Sequence, residues 1–304
     1  MCELTKKKSG YLQASKTKWG YFFILPGIIG FLVFNLGPML YSLFLSFMEW
    51  DILNPMKFVG FDNYIKLFQD SLTWKSLGVT ALYTVITVPL VVIISFGVAI
   101  LLNSRVKGIS VFRTIFYIPS IIPLVATSAI WMFIYNPTFG FLNGILRMFG
   151  LKSLKYIYDP NMVIPCLAVM AVWGAGNTVI IYLAGLQGIS RALYDAAEID
   201  GAGNLQMFCG ITVPMMTPII FYNLVMTVIN CLQTFTQAYI MTDGGPSNSS
   251  MFFSLMIYKN GFRYQRMGYA ASMSWILFII VGILTAVLFA TSSKWVYYED
   301  GGDK

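Results

Sequence analysis

The sequence predicts an all-α polytopic membrane protein with six transmembrane helices. Of its 304 residues 57% are hydrophobic and only 11% charged, where a soluble chain carries about a quarter. The mean hydropathy is +0.71. So much apolar surface exceeds what a water-facing fold hides, and lipid is the expected solvent. The third observation is length. A bilayer core about 30 Å thick needs about 20 apolar residues per helix, and uncharged stretches run over 19–48, 76–104, 114–146, 160–190, 201–242 and 267–293. Asn136-Pro137 and Gly140 interrupt the third stretch, and Thr212–Pro214 marks the entry of the fifth. The predicted spans are therefore 19–48, 76–104, 112–135, 161–186, 213–241 and 267–291. Backbone groups in lipid must be bonded within the segment, so each span is read as a helix.

The elements follow in order. Residues 1–18 read as a basic, disordered cytoplasmic tail. The first span is too long for a signal peptide's apolar core and no small-residue cleavage site follows promptly. Lys6, Lys7, Lys8, Lys16 and Lys18 hold the amino terminus on the inner side, and six spans return the carboxyl terminus there. With 11 of the 20 Lys and Arg on the proposed inner side, orientation rests on these lysines and the Arg105–Lys107–Arg113 turn. Segment 49–75 is too polar to span and, with Trp50 and Phe61, too aromatic for a linker; it is expected to pack on the outer face. Asn136-Pro137 opens a second external segment, 136–159. Thr242-Asp243-Gly244-Gly245-Pro246 turns into a third, carrying Lys259, Arg263 and Arg266. Residues 292–304 form a charged cytoplasmic tail. No repeat suggests the inverted halves of many secondary transporters.

Composition also excludes functions. The chain has no histidine, and Cys2, Cys166, Cys209 and Cys231 are scattered, so a metal centre or His-based catalysis is not expected. The net charge of +7 suits anionic lipid. No dense basic patch interleaved with aromatics suggests nucleic acid. A membrane enzyme would want paired acids or a Ser–Lys arrangement, and a proton-coupled carrier an intramembrane acid; apart from Arg113 at the inner edge of the third, the predicted spans carry no Lys, Arg, Asp or Glu. No phosphate-cradling GxxxxGK[ST] sequence is present.

Two polar features remain. The inner connection, 187–213, is longer than a bare turn requires. Ser190 to Ile199 has helical composition with Ser190 as a plausible N-cap, Gly201 ends it, and Gly203 adds a second hinge. Asn204 to Thr212 can form another short helix, with Pro214 opening the next span at its first turn. Such a loop can merely cover helix ends. The second feature is a stripe in the fifth span, Asn223, Thr227, Asn230, Thr234 and Gln237, whose spacing of 4, 3, 4 and 3 puts them on one helical face. The fourth span adds Trp173, Gly174, Gly176 and Asn177. Polar side chains can be interhelical glue, or they can line a passage. Amides and hydroxyls both donate and accept, as the hydroxyls of a neutral, hydroxyl-rich cargo do, and Trp173 can cover the apolar face of a pyranose.

The motif Asp195-Ala196-Ala197, Gly201, Ile211 and Pro214 matches the spacing of the EAA loop of ABC importer permeases. With LPGIIGFLVFNLGPMLYSLFLSF, FVGFDNYIKLF, FRTIFYIPSIIP, IYLAGLQGIS, MTDGGPSNSS and MGYAAS, nearly the whole chain resembles the carbohydrate-uptake branch of that family. The nearest likeness is to its larger maltose-type and glycerol-phosphate-type permeases. The resemblance implies the type I importer permease fold in a bacterial cytoplasmic membrane. It implies a second permease, two ATP-binding cassette subunits that bind ATP and Mg, and an extracellular or periplasmic sugar-binding protein. It gives Asp195, Ala196, Ala197, Glu198, Gly201, Ile211 and Pro214 to ATPase coupling. Asp195 stands where the family has Glu and reaches one methylene less far, so Glu198 or Asp200 can share its role. Counting outward from the loop, the resemblance gives Trp173, Gly174 and Asn177 before it, and Thr227, Asn230, Cys231 and Thr234 after it, to substrate contact; the stripe adds Gln237. An ion-coupled secondary transporter is the alternative, as is a permease for another polar solute such as a polyol or a glycerol-phosphate-like compound.

Overall fold

The computed structural model describes residues 21–104 and 106–297. The expectations for the 1–18 tail, for Arg105 and for residues 298–304 fall outside these. Four described helices are long and apolar enough to cross a membrane, and six passes result if each of two bent helix pairs is one. The chain divides into two units, residues up to Lys66 with Asn260–Trp275, and Leu67–Lys259 with the residues from Ile276 on.

The first unit begins with α1 (21–31), a π turn Leu32–Leu36 and α2 (Gly37–Ser46). The π turn has a cause two residues on. Pro38 cannot donate to the carbonyl four residues back, and its ring would strike it. Gly37 N–H instead reaches Leu32 O, one residue further, which widens the turn. A two-residue hairpin, β1 (Met48–Glu49) against β2 (Lys57–Phe58), follows, with Met48 opposite Phe58. In its loop the Asp51 carboxylate accepts from the backbone and side chain of Asn54, and these bonds hold its pKa below the usual carboxylate value. Next comes α3 (Asp62–Gln69). Its buried Asn63 donates to the carbonyls of Ser46 and Met48 at 2.9 and 2.8 Å, and Tyr64 donates to Ser46 Oγ at 2.8 Å. At the start of the last helix, Gly268 lies so close to Met48 O that a Cβ there would sit 1.8 Å from it. Segment 49–75 thus contains structure built by specific side chains.

The second unit is organised around α4 (Ser71–Leu102), N-capped by Asp70, which accepts from Leu72 N–H at 2.9 Å. This cap is why the helix starts five residues before the predicted 76. After it come α5 (Ile109–Ile121), α6 (Leu124–Ile134), α7 (Phe141–Met148), α8 (Val163–Trp173), α9 (Gly176–Gly188) and α10 (Arg191–Ile199). Then come α11 (Asn204–Met207), a π turn Phe208–Thr212, α12 (Val213–Leu232), α13 (Thr236–Met241), α14 (Phe253–Tyr258) and α15 (Met267–Ser292), of which the residues up to Trp275 belong to the first unit. Ala99 and Leu102 of α4, Tyr182, Leu183 and Leu186 of α9, and Met216 of α12 form a core. Two glycines allow α9 its neighbours. A Cβ on Gly185 would meet Ile219 Cδ1 at 2.1 Å, and one on Gly176 would meet Phe116 O of α5 at 2.6 Å. Segment 136–159 is pinned by Asn143, fully buried, which exchanges two 2.9 Å hydrogen bonds with the backbone of Leu154.

Several expected elements come out differently. The third span, expected as 112–135, is α5 and α6 meeting at 101°. Ile122 precedes Pro123, is barred from helical ψ and adopts an extended conformation. The fourth, expected as 161–186, breaks at Gly174-Ala175 into α8 and α9, bent by 48°. The fifth begins at Asn204, where α11 continues through the π turn into α12 with no break between them, and it extends to Met241. Pro214 therefore lies inside that run, and a π turn precedes it as one precedes Pro38: Val213 N–H bonds Phe208 O. The span's one interruption among the described residues is at Gln233–Phe235, between α12 and α13. Residues 293–297, expected in a tail, fold back on α12: Trp295 packs edge-on against Phe221 at 5.7 Å, and Tyr297 N–H donates to Thr217 Oγ1 at 2.8 Å.

Candidate functional site: an exposed loop helix and a mid-span cavity

The loop helix α10 ends in a complete hydrogen-bonded cap. Gly201 adopts φ +81°. Its N–H donates to Glu198 O at 3.1 Å while Ala202 N–H donates to Ala197 O at 2.9 Å. That pair of bonds is the Schellman arrangement, which needs a left-handed residue where Gly201 stands. Asp195, Ala196 and Glu198 are exposed and Ala197 half-buried. Neither acid forms an ion pair among the described residues. Tyr194 is the tie to the bundle: its hydroxyl and Thr212 Oγ1 are 2.8 Å apart. At about 100° per residue, Ala192, Ala196 and Ile199 lie opposite Tyr194, and Ile199 is 87% exposed. Ile211, in the π turn, and Pro214, in α12, are half-buried on the element that Tyr194 grips. Ser190 occupies the N-cap position in extended conformation but its side chain makes no capping bond.

The second site is a cavity of about 560 Å³. It lies where all three breaks converge: Ile122 between α5 and α6, Gly174 and Ala175 between α8 and α9, and Gln233 to Phe235 between α12 and α13 all line it. Broken helices inside a membrane are tolerated where they line a polar cavity, and the freed backbone groups add donors and acceptors. The fourth wall is the middle of α4, with Tyr83, Thr87 and Val91. Among the described residues no Lys, Arg, Asp or Glu lines it.

Of the residues expected at substrate, Gly174, Thr227, Asn230, Cys231, Thr234 and Gln237 come together on this cavity. Trp173 and Asn177 are not among its lining residues. The break at Gly174-Ala175 directs them elsewhere: Asn177 is exposed, and Trp173 packs edge-on against Trp131 at 5.8 Å. Asn223, the first residue of the stripe, is buried and donates to Ile219 O at 3.1 Å. Sequence reasoning missed the α4 wall, though its signal was the same. Ser76, Thr80, Tyr83 and Thr87 are spaced 4, 3 and 4, and all are buried. It also missed Ser120, Thr127 and Thr178, which line the cavity from α5, α6 and α9.

Helical passes broken around a charge-free polar cavity, with a capped helix exposed between the fourth and fifth, define a multi-pass membrane protein of the transport class. Residues 92–298 match the binding-protein-dependent transport system inner membrane component family, and the chain belongs to it. It is 42% identical over 285 residues, 92% of each chain, to YesP of Bacillus subtilis (strain 168), described as a probable ABC transporter permease protein. The trehalose/maltose transport system permease protein MalF of Thermococcus litoralis is 31% identical over 278 residues, covering 91% of this chain and 94% of the relative. The fold is that of a type I ABC importer permease. A bacterial alginate ABC transporter, solved in complex with an alginate pentasaccharide-bound periplasmic protein, superposes with a TM-score of 0.81 at 23% identity, covering 93% of this chain and 97% of that one.

Proposed function

We propose that this chain forms half of the passage of an ATP-driven, binding-protein-dependent sugar importer, with sugar crossing the mid-span cavity. The observation that carries this reading is the cavity's chemistry. Its polar lining is made of amides, hydroxyls and the backbone of broken helices, with no ionised side chain. Such groups match sugar hydroxyls in both donor and acceptor roles, and a volume of about 560 Å³ suits a small saccharide. The trehalose/maltose cargo named for the relative above supports the same substrate class.

In this reading α10 is the element gripped from the cytoplasm. Ala196 and Ala197 let it sit deep in a cleft of an ATPase subunit, and Asp195 or Glu198 meets a basic residue there. Tyr194 passes the movement through Thr212 into α12, whose far end carries Thr227, Asn230 and Cys231. ATP and Mg are bound by two partner ATPase subunits, and a second permease completes the passage. A sugar-binding protein delivers cargo from outside, and both termini are cytoplasmic. Alternating access is a population shift driven by ATP binding to those partners.

The test is ATPase stimulation of the purified complex with its binding protein, measured across a panel of mono- and oligosaccharides. At least one sugar should raise hydrolysis well above the unstimulated rate. Stimulation by none of them, together with solute counterflow in the absence of ATP, would overturn the proposal.

A further inference from the structure

Midway along α4, Thr87 lines the cavity, and its hydroxyl, fully buried, has the Tyr83 hydroxyl as a polar neighbour yet makes no hydrogen bond of proper geometry among the described residues. A threonine in a helix ordinarily turns its hydroxyl to the carbonyl four residues back. Thr80 and Thr84 of the same helix do so at 2.8 Å, as Thr227 and Thr234 do on the opposite wall. Thr87 does not. A buried hydroxyl left unpaired is costly, so its retention at a cavity wall points to a partner that comes and goes.

The surroundings are fixed as a recognition point would need. One turn before Thr87, the Tyr83 hydroxyl accepts from Gln237 Nε2 at 3.2 Å, joining α4 to α13 across the cavity. The Tyr83 ring is held edge-on by Phe252 at 5.1 Å, and Phe253 N–H donates to Thr80 Oγ1 at 2.9 Å. Gln237 uses one N–H on Tyr83 and keeps an N–H and its carbonyl oxygen for the cavity.

We infer that Thr87 is a further cargo-binding residue, its hydroxyl bonding a hydroxyl of the passing solute, with Tyr83 a positioning residue that aims the Gln237 amide at the same solute. The inference rests on the proposed passage of sugar through this cavity. It assigns specificity to α4, outside the helices flanking the coupling loop.

The test uses the complete transporter with its binding protein in proteoliposomes, with radiolabelled maltose, lactose, trehalose and maltotriose as probes. Thr87→Val keeps the shape and removes the hydroxyl; it should lower uptake of the best-carried probe about fivefold, the loss of one hydrogen bond. Thr87→Ser should stay within about twofold of the parent, because the hydroxyl remains. Tyr83→Phe, which keeps the ring against Phe252, should lower uptake about threefold by releasing Gln237. Size-exclusion profiles of all three should match the parent. Undiminished uptake by Thr87→Val, or equal losses in the Val and Ser variants, would overturn the Thr87 contact while leaving the proposed passage intact. Undiminished uptake by Tyr83→Phe would overturn the positioning role. A parent that carries none of the four, and whose ATP hydrolysis no sugar of the wider panel stimulates, would overturn the cargo reading and this inference with it.

Discussion

In the loop between the fourth and fifth passes, the seven residues proposed for coupling lie within 20 positions, Asp195 to Pro214, and four of them sit on one exposed helix. In the cavity, lining residues run from Tyr83 to Gln237 and reach the same space from four directions. The loop is a local object, shaped by one glycine at φ +81° and two backbone bonds. The cavity is a tertiary object: it exists because three passes break and α9 closes on α5 and α12 through glycines. Changes in the loop should therefore alter function with little effect on folding. Changes at the helix contacts around the cavity should alter both.

The largest effect should follow from Gly176→Val. A Cβ there would lie 2.6 Å from Phe116 O and 3.1 Å from Tyr117 Cα. Both atoms are backbone, so relief requires moving a helix. Overpacking of this kind costs about 1–3 kcal/mol or more, and the thermal unfolding midpoint of the detergent-purified protein should fall by several degrees, with transport lost. An unchanged midpoint would mean that α5 and α9 are not held at the distance described, and the cavity would lose one of its walls.

Gly201 is the contrasting case. Nothing lies within 4 Å of a Cβ built on it, so only its backbone conformation is at stake. Gly201→Val should cost about 1–2 kcal/mol locally, because a β-branched residue resists the left-handed region. It should abolish coupled uptake while sugar-independent ATP hydrolysis persists. Gly201→Asn should retain most coupling, since Asn tolerates that conformation. If the two variants behave alike, the glycine matters for something other than the helix cap.

This contrast also explains what was legible in advance. Six apolar passes, the turn at Asn136-Pro137 and the glycine that stops α10 are local consequences of composition and side-chain chemistry, so a linear reading finds them. The breaks were legible in part. Ile122-Pro123 and Gly174-Ala175 carry strong local signals, but hydropathy stays high across both, and a reading by hydropathy runs straight through them. That error moved Trp173 and Asn177: a continuous helix would keep both in register with Gly174, whereas the bend leaves only Gly174 on the cavity. The α4 stripe escaped because Thr and Tyr hardly lower the hydropathy of a long apolar run. Asn230, an amide, stands out; Thr87 does not. Residues 293–297 escaped because the signal for their docking lies in Phe221 and Thr217, some 80 positions earlier.

The smallest effect concerns the tie between the two regions. Tyr194 and Thr212 share one hydrogen bond of 2.8 Å, a side-chain link from α10 to the helical run that carries about half of the cavity's polar residues. Tyr194→Phe keeps the ring and removes the hydroxyl, at a cost of about 1 kcal/mol, so the unfolding midpoint should barely move. If the bond transmits movement, the ATP hydrolysed per sugar imported should rise by about twofold. Thr212→Val should do the same. The double variant should be no worse than either single one, because each removes the same bond. Additive losses would mean that the hydroxyls act separately and that α10 drives α12 by packing alone. The loop and the cavity would then be coupled through Phe208, stacked on Phe96 of α4 at 6.4 Å, and Phe208→Ala would become the more damaging change.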